Sequence, residues 1–71
     1  MRYAVVFEKS ESSFGAYVPD LPGCVAVGDT RNEVKKLIRE AMRLHLEAMR
    51  EAGEAIPKPS SRSETVKISA A

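Results

Sequence analysis

Between Gly15 and Thr30 the chain reads Gly-Ala-Tyr-Val-Pro-Asp-Leu-Pro-Gly-Cys-Val-Ala-Val-Gly-Asp-Thr, and the two prolines in that run leave the backbone few options. Pro19 has no N–H for a sheet ladder and biases Val18 towards extended backbone, so a strand over Phe14 to Val18 has to stop there. Pro22 presets the first central residue of a type II turn, and Gly23 accepts the positive φ of the second. A further strand, Cys24 to Val27, returns from that turn, and Gly28-Asp29-Thr30 leads into a helix.

Upstream, Tyr3-Ala4-Val5-Val6-Phe7 is apolar on both alternating faces, the pattern of a strand covered on both sides. The polar run Glu8 to Ser13 is too short for a crossover helix, so this strand and Phe14 to Val18 form an antiparallel hairpin. Downstream, Thr30-Arg31-Asn32-Glu33 is a capping-box pattern that starts a helix at Arg31. Val34, Leu37, Ile38, Ala41, His45, Ala48, Met49 and Ala52 recur at helical spacing, and Gly53 ends the run. Leu44 and Leu46, with Met42, widen the apolar arc beyond what one sheet face needs. After the extended segment Ile56 to Ser63, Thr65-Val66-Lys67-Ile68-Ser69 alternates as an edge strand does. A right-handed return would lay it parallel to the first strand. The expected fold is α+β, a three-stranded antiparallel meander with one long helix and a fourth parallel strand: β-β-β-α-β, sheet order 3-2-1-4, in a single domain over residues 1–71.

A chain of 71 residues removes only about 60% of its unfolded surface from water, and its one cysteine and one histidine offer no disulfide and no metal to compensate. Association into a homodimer or homotetramer is therefore expected, with Met42, Leu44, Leu46 and Met49 as interface candidates. Cys24 reads as a small buried hydrophobe in a reducing compartment. The formal charge of +1 from eleven basic and ten acidic residues gives no field that attracts nucleic acid or an anionic membrane. No apolar run approaches the roughly 20 residues of a transmembrane helix and no signal-peptide core opens the chain, so it is expected in the cytoplasm.

Catalytic chemistry finds little footing. Glu8, Asp20 and Asp29 are the carboxylates that a metal-dependent nuclease would need to converge, yet aspartates beside turns ordinarily bond backbone amides. His45 on the apolar stripe reads as a packed or interface residue, since no nucleophile or paired carboxylate stands at a suggestive spacing. Gly23, Gly28 and Gly53 are scattered singly, with no phosphate loop. Lys35, Lys36, Arg39, Arg43 and Arg50 interleave with Glu33, Glu40, Glu47 and Glu51, as on a solvated helix face. No catalytic residue, metal site or cofactor is expected.

Phe14-Gly15-Ala16-Tyr17-Val18-Pro19-Asp20-Leu21-Pro22-Gly23-Cys24, then Gly28-Asp29-Thr30, the helix with Leu44-His45-Leu46, and Ile56-Pro57-Lys58-Pro59-Ser60 together resemble the HicB-like antitoxin domain over nearly the whole chain. The resemblance implies a partial ribonuclease-H-like fold that has lost the nuclease carboxylates. It also implies a protein that binds and neutralises a HicA-type toxin, a small messenger-RNA-cleaving protein. Full-length members commonly carry a C-terminal DNA-binding segment; none is expected within residues 1–71, nor is direct DNA binding. The candidate toxin contacts are Asp20, Leu21, Pro22, Gly23 and Asp29, on the turn and beside the third strand. Alternative readings are an orphan module for a small ligand or another protein, and a residual metal-dependent nuclease. Convergence of Glu8, Asp20 and Asp29 would favour the nuclease, and their dispersal a binder.

Overall fold

The computed structural model describes residues 1–69 and shows a sheet of three strands covered on one face by one helix. Strands β1 (Val6–Lys9), β2 (Phe14–Tyr17) and β3 (Val25–Gly28) form an antiparallel meander with β2 in the centre, and α1 (Arg31–Glu51) packs mainly on β3 and β2. The register sets Val6, Tyr17 and Val25 in one row across the sheet, and Phe7, Ala16 and Ala26 in the next. Successive rows point to opposite faces. The row with Ala16 faces the helix, and Ala16, Val18, Leu21, Cys24, Val34 and Ile38 make the buried core.

The expected fourth strand is not formed, which corrects both the β-β-β-α-β fold class and the 3-2-1-4 order. Among the described residues the order is β-β-β-α, and the backbone from Glu54 to Ser69 has no regular structure. The alternation of Thr65 to Ser69 shows that the segment is able to pair, but pairing must repay the ordering of each residue through burial on the pleat. Here Val66 and Ile68 remain 76% and 84% exposed, with no apolar surface against them. The connector is instead tied down earlier: the Tyr3 hydroxyl donates to the Pro57 carbonyl, and Ser60 and Ser61 donate to Asp20. Without that neighbour, β1 is an edge strand rather than a central one, and its ladder starts at Val6.

The helix begins where the sequence places it. Thr30 has extended backbone and its hydroxyl accepts from the Glu33 N–H at 3.1 Å. Only half of the capping box is present, because the Glu33 side chain lies against Gly28. A Cβ on Gly28 would stand 3.1 Å from Glu33 Cδ and from Val34 Cγ2, so glycine is what lets the first helical turn close onto the end of β3. The far end closes with the Gly53 N–H on the Arg50 carbonyl (3.1 Å) and the Glu54 N–H on Met49 (2.9 Å), a Schellman arrangement.

Candidate functional site

The segment between β2 and β3 is two successive turns wrapped around a buried plug. The Leu21 N–H donates to the Val18 carbonyl (3.0 Å), the Cys24 N–H donates to Leu21 (3.0 Å), and the Val18 N–H closes the loop on Cys24 (3.2 Å). Gly23 has φ +85°, so Pro22-Gly23 is the type II turn that the sequence requires. Leu21 is fully buried and holds the turn from inside, while Pro22 and Gly23 stand exposed above it. Pro22 also borders a shallow groove shared with His45, Ala48 and Met49 on the second half of α1 and with Ala52 and Glu54 just past its end.

Asp20 is committed within the chain. One carboxylate oxygen accepts from the Ser60 and Ser61 N–H groups at 2.8 and 2.9 Å, and the other from their hydroxyls at 3.0 and 2.7 Å. The backbone donors, Ser61 and then Ser60, do most to hold its carboxyl well below the ordinary carboxylate range. Its lone pairs are occupied, so Asp20 shapes this end of the molecule as a clasp between turn and tail.

Asp29 lies at the other end of β3, exposed and next to the helix cap. Five residues, Cys24 to Gly28, separate it from Gly23, about 20 Å of near-extended chain. Between them Val25 and Val27 point away from the helix and are 61% and 67% exposed, with Tyr17 beside Val25. This outer face of the sheet has no covering layer among the described residues. The three carboxylates do not converge: Glu8 sits opposite Gly15, towards the Asp29 end, whereas Asp20 is at the turn end. Among the described residues no three His, Cys, Asp or Glu side chains are grouped to hold a metal.

The four helical interface candidates divide. Met42 and Leu46 pack against the core cluster, Met49 is half-buried along the Pro22 groove, and Leu44 projects into solvent. Leu37, one heptad before Leu44, is exposed on the same flank and was not singled out by the sequence reading, because periodicity alone counts it with the buried stripe. Val25 and Val27 were likewise taken only as strand residues. Their uncharged alternation is the signal that marked them.

A family model described as "HicB_like antitoxin of bacterial toxin-antitoxin system" matches residues 3–69. A UPF0150 protein of Thermoplasma acidophilum is 36% identical over 67 residues, which is 93% of this chain and 97% of that protein. A 14.9 kDa protein from the rep-hol intergenic region of Haemophilus phage HP1 is 40% identical over 58 residues, 82% of this chain and 44% of its own length. Antitoxin HicB 2 of Photorhabdus laumondii is 34% identical over 64 residues, 90% of this chain and 46% of its length. The chain thus spans about half of two of these relatives and nearly all of the third. A chain of the solved HicA3 and HicB3 toxin-antitoxin complex superposes with a TM-score of 0.71 at 32% identity, covering 84% of this chain and 70% of that one.

Proposed function

The chain belongs to the HicB-like antitoxin family of bacterial toxin–antitoxin systems, and on that footing we propose that it binds and neutralises a HicA-like toxin. The carrying observation is the likeness, at 32% identity, to a chain of a HicA3 and HicB3 complex, which extends over most of this molecule. The dispersal of Glu8, Asp20 and Asp29 supports a binder rather than an enzyme. The chain acts by occlusion: it covers the toxin's RNA-cleaving surface and performs no chemistry of its own.

The contact strip runs along β3, from the exposed Pro22-Gly23 turn past Val25 and Val27 to Asp29, with Tyr17 alongside. Val25, Val27 and Tyr17 supply an apolar centre, and Asp29 puts a free carboxylate where a basic RNA-binding face would meet it. The rigid turn loses little entropy on docking. Leu21 and Asp20 act from beneath, the first by plugging the core and the second by clasping the tail. The protein works in the cytoplasm, where messenger RNA is the toxin's target.

Co-expression with a HicA-like toxin, followed by pull-down and an RNA-cleavage assay, tests this. Capture of the toxin and suppression of cleavage are expected. Tyr17→Arg should weaken capture about 10-fold or more, since it places a charge in the centre of the strip, worth at least ~1.4 kcal/mol. Metal-dependent RNA cleavage by this chain alone, lost in Asp20→Asn, would overturn the proposal.

A further inference from the structure

We propose that the groove between the open edge of β1 and the basic flank of α1 takes an extended acidic segment of another protein as an added strand. Backbone geometry opens the site. The Val18 N–H bonds the Cys24 carbonyl, so Ala16 and Val18 turn their backbone groups to β3, and Gly15 and Tyr17 turn theirs to β1. The partners of those two are Glu8 and Val6, which leaves the N–H and C=O of Phe7 on the outside of the sheet, unpaired among the described residues. An incoming strand meets those groups, and its side chains alternate between the helix face and the outer face.

On the helix face that edge is an apolar trough with a cationic rim. Phe7 shares its row with Ala16 and points to α1, and with Tyr3, Val5 and Met42 it floors a groove of about 420 Å³. Arg2, Lys35 and Arg39 stand exposed on the rim, and the lining holds no carboxylate. Arg31 adds a further cation, 4.5 Å from the centre of the Phe7 ring. The acidic residues nearby face elsewhere. Glu8 points to the outer face, Glu33 lies against Gly28, and Glu40 and Glu47 are partnered by Arg43 at 2.5 and 3.1 Å. The net charge of +1 therefore conceals a local positive field.

Charge decides among the occupants. The chain's own tail carries Lys67 between Val66 and Ile68 and no acid from Thr65 to Ser69, and those two apolar side chains stay exposed. A second copy brings the same cations to the same edge. A basic RNA-binding face of a toxin suits the β3 strip at Asp29 and is repelled here. A phosphate backbone matches the rim alone and leaves the Phe7 backbone groups unpaired. What fits both is a strand whose helix-facing positions run acid, aliphatic, acid: the aliphatic side chain covers Phe7 and Met42, and the carboxylates reach the rim.

The test uses the whole chain and a fluorescent peptide, acetyl-Thr-Glu-Thr-Ile-Thr-Glu-Thr-amide. Its anisotropy should saturate below about 1 mM chain, and hydrogen exchange of the Phe7 N–H should slow as the peptide is added, while the Val25 and Val27 amides stay unchanged. The same peptide with lysine for both glutamates should not bind. Arg39→Glu, at an exposed position, should weaken the acidic peptide about 10-fold or more with the helical signal unchanged. No binding, equal binding of the lysine peptide, or a Phe7 amide already protected in the chain alone would each overturn the proposal, the last by giving the groove to the chain's own tail. Displacement of the peptide by oligouridylate at equal concentration would also overturn it, by giving the rim to a phosphate backbone. Arg39 and the β3 strip lie on opposite sides of the sheet, so Arg39→Glu should leave toxin capture intact and Tyr17→Arg should leave the peptide bound. Failure of either binding surface is thus separately visible.

Discussion

Gly23 and Asp20 sit three residues apart, in successive turns, and were legible to different degrees. The positive φ of Gly23 follows from Pro22-Gly23 being a local pair whose geometry the two residue types fix between them. Nothing lies within 4 Å of a Cβ built on Gly23, so Gly23→Val pays only in backbone strain. It should destabilise the fold by about 1–3 kcal/mol, read from the urea midpoint at unchanged slope. The partners of Asp20 are forty residues away in the chain, and no pattern near Asp20 announces them. Its carboxyl is held low by donors that favour the anion, so the clasp contributes fully above the unfolded value of 3.8 and is lost only as pH falls through the lower folded value. The Asp20 side-chain carbon resonance should therefore not titrate at 3.8, and Asp20→Ala should hasten tryptic cleavage after Arg62 while the strands stay protected.

At the scale of elements, what the sequence states well is where a segment starts and which period it has. Thr30 marks the first turn of α1, and Thr30→Ala should cost about 1 kcal/mol and lower the melting temperature by about 4–8 °C. The reciprocal arm of the capping box was not legible, because Glu33 is diverted by the space above Gly28, a contact between two elements. Periodicity also blurs the margins of an apolar arc. Leu44 and Leu46 look alike in sequence, yet one projects and the other packs on the core. Leu46→Glu should accordingly lower stability by about 1–3 kcal/mol in chemical denaturation, whereas Leu44→Glu, at an exposed position, should change it by no more than about 0.5 kcal/mol. The tail failed for a related reason. Alternation in Thr65 to Ser69 describes what the segment offers, and whether an edge receives it is decided by where Pro57, Ser60 and Ser61 are fastened.

For the molecule as a whole, a helix on one face of three short strands encloses only a thin core, and exposed apolar side chains remain along β3, on one flank of α1 and in the tail at Val66 and Ile68. The family was readable because the turn, cap and tail motifs occur in one order along the chain; the outer face and the β3 edge emerge only when the strands are laid side by side. Cys24 has a consequence for how such a molecule is followed in solution. It is 3% exposed at the junction of turn and β3, and burial pushes its thiol up from the ordinary value. A sulfur so placed meets an alkylating reagent only when that junction opens, so the labelling rate, divided by that of the same peptide unfolded, is an opening constant. With a single thiol in the chain there is one kinetic phase to assign. Gly23→Val should accelerate labelling about 5- to 150-fold, the same 1–3 kcal/mol expressed as a frequency of opening. Labelling that returns to the slower rate when Gly23 is restored would tie that opening to the turn, without a tag, a dye or a denaturant.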